Sequence, residues 1–133
     1  MNIGILALGR GTFDIKFANQ KLAECINFLE NSSHKVTGSC NLLLESEETY
    51  DEIKILKNEN LDFILIIQVT FTDASMTVNI AKEFNINFGI WAIPEPRIGG
   101  RLRLNSFCGL NLASHALSLN HIPFKWLYED PKS

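Results

Sequence analysis

The sequence predicts the α/β class: one mostly parallel sheet with helices on both faces. Three observations carry that prediction. Uncharged apolar runs recur along the chain (Ile3 to Leu8, Phe63 to Val69, Phe88 to Ile93), as strands buried on both faces require. Stretches with apolar residues at helical spacing lie between them. The connections are long enough for crossovers, which are right-handed between parallel strands.

Taken in order, Ile3 to Leu8 is the first strand, ending in the turn Gly9-Arg10-Gly11-Thr12. Phe13, Phe17, Leu22, Ile26 and Leu29 then mark the buried stripe of a helix, with Asp14, Lys16, Gln20, Lys21 and Glu24 left to solvent. Asn31-Ser32-Ser33 ends it. Val36 to Leu44 reads as a weaker second strand, interrupted at Gly38 as an edge or bulge would be. Glu45, Glu47 and Glu48 open a second helix, where the helix dipole favours carboxylates, and Tyr50, Ile53 and Leu56 supply its inner stripe. Phe63 to Val69 is the most hydrophobic run and the candidate central strand. Thr72 is placed as the N-cap of a third helix, with Ala74, Val78 and Ala81 inward and an end near Phe84. The fourth strand stops at Pro94 and Pro96, which cannot donate to a ladder. Asn105 or Ser106 is positioned to cap a helix reaching Leu119, with Leu110, Ala113 and Leu117 inward. Phe124 to Tyr128 is the last strand. Five strands favour a three-layer, flavodoxin-like sandwich in the order 2-1-3-4-5.

The chain has 133 residues, which fits one domain, here 1–128, followed by a connector at 129–133. The net charge of −3 argues against nucleic acid as a partner and against an anionic membrane. The three cysteines have no paired spacing, so the expected setting is reduced and cytoplasmic. The N-terminal apolar run is too short for a signal peptide or membrane span.

Charge distribution says more than the total. In the order 2-1-3-4-5 the exit loops of strands one, three and four share the carboxyl rim of the sheet. All four arginines, Arg10, Arg97, Arg101 and Arg103, fall in those loops. Planar guanidinium forks beside a helix N-terminus suit an oxyanion or polyol ligand. The bland alternative is a solvated basic loop with ion pairs to Glu95 and Asp73, worth little stability.

Other chemistries fit less well. Gly9-x-Gly11 begins like a dinucleotide fingerprint, but Asp14 would oppose a pyrophosphate. A flavin-phosphate loop would have only Thr12 of its hydroxyl residues, and a receiver domain lacks its acidic ones. Cys108 near a helix start has no histidine partner and is expected to pack. His34, His115 and His121 show no metal-ligand spacing. Trp91 and Trp126 are expected to fill core or interface. These residues taken alone describe a ligand-binding or assembly domain without a complete active site, one version being a non-enzymatic flavodoxin-like module that takes a small anion or a protein partner on its arginine rim.

Three motif blocks add to this. Gly9-Arg10-x-Thr12-Phe13-Asp14, Thr70-Phe71-Thr72-Asp73, and Trp91-Ala92-x-Pro94-Glu95 with Gly100-Arg101-Leu102-Arg103-Leu104-Asn105-Ser106-x-Cys108-Gly109-x-Asn111 span most of the chain. Together they resemble the N-terminal domain of the L-fucose/L-arabinose isomerase superfamily, and most closely its fucose-isomerase-like members. The resemblance implies an aldose–ketose isomerase subunit that uses a divalent metal, usually manganese, held by later domains and not by this chain. It implies that this domain closes over a neighbouring subunit's sugar site in a trimer or hexamer. By position, Arg10, Thr70, Phe71 and Asn105 would touch substrate, while Arg101, Arg103, Glu95 and Cys108 would support the loop or an interface. A chain of this length is expected to have no catalytic or metal-binding residues of its own, and to isomerise no sugar alone.

Overall fold

The computed structural model describes residues 1–96 and 99–132; Arg97 of the predicted rim lies outside the described residues. Strands β1 (Asn2–Leu8), β2 (Lys35–Thr37), β3 (Leu42–Leu43), β4 (Phe63–Gln68), β5 (Asn87–Ala92) and β6 (Lys125–Tyr128) alternate with helices α1 (Ile15–Glu30), α2 (Ser46–Lys57), α3 (Ser75–Glu83) and α4 (Ser106–Leu119). Every pairing is parallel, and the sheet runs β2-β1-β4-β5-β6, with β3 also on β1. This is the predicted α/β sandwich. The expected second strand is simply in two pieces. Gly38, at φ 132°, and Cys40, at φ 58°, turn the backbone out of the ladder between them. A Cβ on Gly38 would lie 3.0 Å from the Ile5 carbonyl oxygen, so only glycine fits that approach.

Two apolar cores flank the sheet. One joins α2, α3 and α4 to Leu6, Leu8, Ile64, Ile66 and Ile90. The other joins α1 alone to Ile3, Ile5, Ala7, Ile67 and Trp91. Fully burying one such aliphatic side chain is worth about 1.5–3 kcal/mol, so β4, whose Ile64, Ile66 and Ile67 are all inaccessible, anchors the molecule.

Several local expectations need correction. Tyr50 is exposed and accepts from Asn79 Nδ2, while Thr49 and Glu52 turn inward beside Ile53 and Leu56. Thr72 caps nothing. The third helix starts later, at Ser75, because the Asp73 carboxylate takes both the backbone N–H and the hydroxyl of Ser75. Thr77 and Ile80 are the deepest residues of α3. Lys21 and Glu24 are not left to solvent: they pair at 3.1 Å with their side chains 12% exposed. Trp91 packs as expected, but Trp126 on the edge strand is exposed.

Candidate functional site at the carboxyl rim of the sheet

The β1, β4 and β5 exit loops are stitched together by hydrogen bonds from main-chain N–H groups. Arg10 N donates to Thr70 Oγ1 at 2.8 Å, and Phe71 N donates to the Leu104 carbonyl at 2.8 Å. Asp14 N donates to the Arg103 carbonyl at 3.1 Å. Arg10, Thr70, Phe71, Arg101, Arg103 and Asn105 therefore share one rim, as parallel pairing of adjacent strands dictates.

Their side chains fall into two groups. Arg103 is committed to the fold: its Nε donates to Asp14 at 2.9 Å and its guanidinium stacks 3.8 Å over the Phe17 ring. Thr70 is inaccessible, and its hydroxyl, besides receiving Arg10 N, donates to the Phe71 carbonyl at 3.0 Å. It positions the loop. Arg10 differs. Its guanidinium lies 5.2 Å from the Phe71 ring centroid and 3.7 Å from Asp73, with the side chain 42% exposed. A loose pair of this kind in solvent leaves most of the fork's donors open to a ligand.

Arg101 makes one long contact, 3.5 Å to the Thr12 carbonyl. Asn105 starts α4 in the left-handed region, at φ 54°, and its side chain caps nothing. The expected cap is therefore absent: the residue occupies the N-cap position while its amide group makes no bond to the helix. Arg101, Asn105, Glu95, Cys108 and Tyr128 are among the residues around a cavity of about 430 Å³. Glu95 Oε2 accepts from Leu104 N at 2.5 Å, which fixes the loop.

Beneath the rim is a polar knot that sequence reasoning missed. Ser106 Oγ donates to the Gln68 carbonyl and accepts from Ile93 N at 2.9 Å, tying β4, β5 and α4 together. Gln68 Nε2 donates to the Thr70 carbonyl at 2.7 Å and to Thr72 Oγ1 at 2.9 Å, holding the β4 exit in shape. Gly109 of α4 packs on that amide: a Cβ there would lie 3.0 Å from Gln68 Nε2. The available signal was a glutamine inside FILIIQV, since a polar residue in a doubly buried strand must find partners.

Asp14, expected on the solvent side of the first helix, is its N-cap. Its carboxylate accepts from Phe17 N at 3.1 Å, capping α1, and then from Arg103. Those bonds, the backbone one first, hold its carboxyl below the ordinary 3.8. Ser75 does the same for Asp73, through its hydroxyl and then its backbone N–H. A carboxylate whose folded pKa is depressed stabilises the fold above its unfolded value, and this is lost as pH falls through the folded value. The thermal midpoint is therefore expected to fall as pH drops from about 5 toward 2. Asp14→Asn, which keeps a capping side chain, should flatten that fall; an unchanged pH profile would show that Asp14 carries none of it.

The thiols separate by environment. Cys25 is buried and its thiol is pushed up to about 12 by desolvation; Cys40 is raised by the same cause. Cys108, expected to pack, is instead exposed on the first turn of α4, because Leu104, Ser106, Gly109 and Leu110 take the inward positions. A colourless-to-yellow thiol titration at neutral pH should label Cys108 first and Cys25 only on unfolding. Equal rates for the two would contradict the packing described.

Fold and rim together define a class: a parallel α/β domain presenting cationic, hydrogen-bonding loops at the carboxyl end of its sheet. The chain belongs to the fucose/sulfoquinovose isomerase family, for the description of that family's N-terminal domain matches residues 4–133. A sulfoquinovose isomerase of Priestia megaterium is 32% identical over 124 residues, covering 93% of this chain and 28% of the relative. One from a Clostridium species is 31% identical over 137 residues, covering 98% and 29%. One from Alkalicoccus urumqiensis is 36% identical over 70 residues, covering 53% and 16%. The chain thus spans less than a third of the length of these relatives. The resemblance read from the three motif blocks stands, and with it a sugar-isomerase domain.

Proposed function

We propose that this domain forms one wall of a sugar site in an aldose–ketose isomerase, with Arg10 and Asn105 facing substrate and Phe71 beneath them. The carrying observation is Arg10: a guanidinium on the rim, braced by an aromatic ring, with its backbone pinned by Thr70 and most donors unused. Such a fork recognises paired oxygens on a sugar or a sulfonate. The relatives' substrate, sulfoquinovose, is a sulfonated sugar, which makes an anionic hexose the favoured class.

The wall acts in an oligomer, a trimer or hexamer, where the domain covers a neighbouring subunit's site. A cytoplasmic setting accords with three free cysteines. Among the described residues, no group of three or more His, Cys, Asp or Glu side chains is placed to hold a metal ion. The rim carboxylates are dispersed and largely engaged, Asp14 with Arg103, Asp73 with Ser75, and Glu95 through one oxygen with Leu104, its other oxygen being buried without a partner. That arrangement supports the reading in which the metal and its proton-transfer chemistry belong to parts of the protein outside this domain. Among the described residues, no helix is long and apolar enough to cross a membrane.

The test is direct. With manganese and L-fucose, L-arabinose or sulfoquinovose, the 133-residue chain alone should give no turnover, while the full-length protein turns over at least one of them. Robust turnover by the chain alone would overturn the division of labour.

A further inference from the structure

The sheet is covered unequally. Three helices close one face and α1 alone closes the other. Within β4 the two sides differ: Ile64 and Ile66, toward the three helices, are inaccessible, whereas toward α1 only Ile67 is inaccessible and Phe63 and Leu65 are partly buried. Farther from α1 the same face continues through Leu127 of β6, 45% exposed. Phe28, on the flank of α1 beside this opening, is 55% exposed with its ring edge-on to Trp91 at 5.8 Å. All-parallel sheets are stable when helices cover both faces, so this apolar strip is half a layer.

The backbone after β6 already turns into that opening. Trp91 Nε1 donates to the Glu129 carbonyl at 2.8 Å, and Asp130 pairs with Lys21 at 3.0 Å. Pro131 is buried, and Lys132 reaches Glu24 at 3.8 Å. These anchors step along α1 from Lys21 toward Glu24, which is antiparallel to the strands. A groove of about 350 Å³ continues in the same direction past Pro131, along Asn27, Phe28 and Asn31. Relatives matched over nearly the whole of this chain carry most of their length outside the match.

We propose that the open strip on the α1 face seats an amphipathic helix formed by the polypeptide following Lys132 in the full-length protein, lying beside α1 and completing the second helical layer. The occupant packs apolar residues on Phe63, Leu65, Phe28 and Leu127 and runs antiparallel to the strands. The inference concerns the fold's second layer and does not depend on which sugar, if any, meets the rim.

Site-specific photo-crosslinking in the full-length protein tests it. Leu127→p-benzoylphenylalanine and, separately, Phe28→p-benzoylphenylalanine place a reactive group on exposed positions that folding does not require. Mass spectrometry should map both adducts within the same chain, inside about the next 40 residues, room for a short connection and one average helix. Glu47→p-benzoylphenylalanine, on the opposite face, should give no adduct there. Adducts to a second copy, adducts only to a distant stretch, or no adduct at all from both positions would overturn the proposal, as would a reading frame that stops at residue 133.

Discussion

Arg10→Ala in the full-length protein is expected to lower kcat/KM for its sugar by about 30- to 150-fold, the equivalent of one lost charge-assisted contact of about 2–3 kcal/mol. The fold should hardly notice. The structural bond at this position comes from the backbone N–H to Thr70, which alanine keeps, and the side chain's ion pair to Asp73 is long and solvated. The thermal midpoint should therefore move by no more than a few degrees, at about 1 kcal/mol of stability. Arg10→Lys should recover part of the loss only, since an ammonium cannot reproduce a planar fork. Equal kcat/KM in all three proteins would remove Arg10 from the site.

Ser106→Ala carries the largest expected cost to stability. The hydroxyl bridges β4, β5 and α4, accepting from Ile93 N and donating to the Gln68 carbonyl in a buried place. Removing it orphans one donor and weakens one acceptor, a loss of about 2–4 kcal/mol by chemical denaturation. The midpoint should fall with the denaturant slope unchanged, as befits a local defect in an otherwise intact fold. A loss below about 0.5 kcal/mol would mean that the knot relaxes freely and does not set the rim. Gly109→Ala approaches the same knot from the helix side and should displace the Gln68 amide, costing about 1–3 kcal/mol.

The two variants separate what the sequence made legible from what it did not. The apolar runs Ile3 to Leu8 and Phe63 to Val69 announced parallel strands, and chain order with right-handed crossovers then put Arg10, Thr70, Phe71 and Asn105 on one rim. The motif blocks identified the family, which the comparison with relatives shows. What remained hidden was the division of labour among similar side chains. Arg10 and Arg103 look alike in sequence, yet one stacks on Phe17 and binds Asp14 while the other stands on an open rim. That outcome depends on pairings between residues some ninety positions apart, which periodicity cannot reveal. Cys108 illustrates the same limit in the opposite direction: a residue type that is usually buried is exposed because the helix phase is set by Leu110, Ala113 and Leu117. The Asp73–Ser75 turn moved the N-cap of α3 by two residues, from the expected Thr72 to Ala74, a shift that local propensity does not resolve.

The missing half-layer on the α1 face was also unreadable in advance. Phe63 and Leu65 have the composition of any core strand, and only their partial burial marks them as awaiting a cover. The rim and that face lie on different sides of the domain's structure, so a fault in one account leaves the other standing.

The central claim, that the stitched carboxyl rim faces the sugar, is tested most directly by determining the full-length protein with a sugar bound. The account predicts the Arg10 guanidinium and the Asn105 amide within about 3 Å of ligand oxygens, with Phe71 against the ring. A bound sugar distant from that rim, with Arg10 turned to bulk water in every subunit, would contradict it.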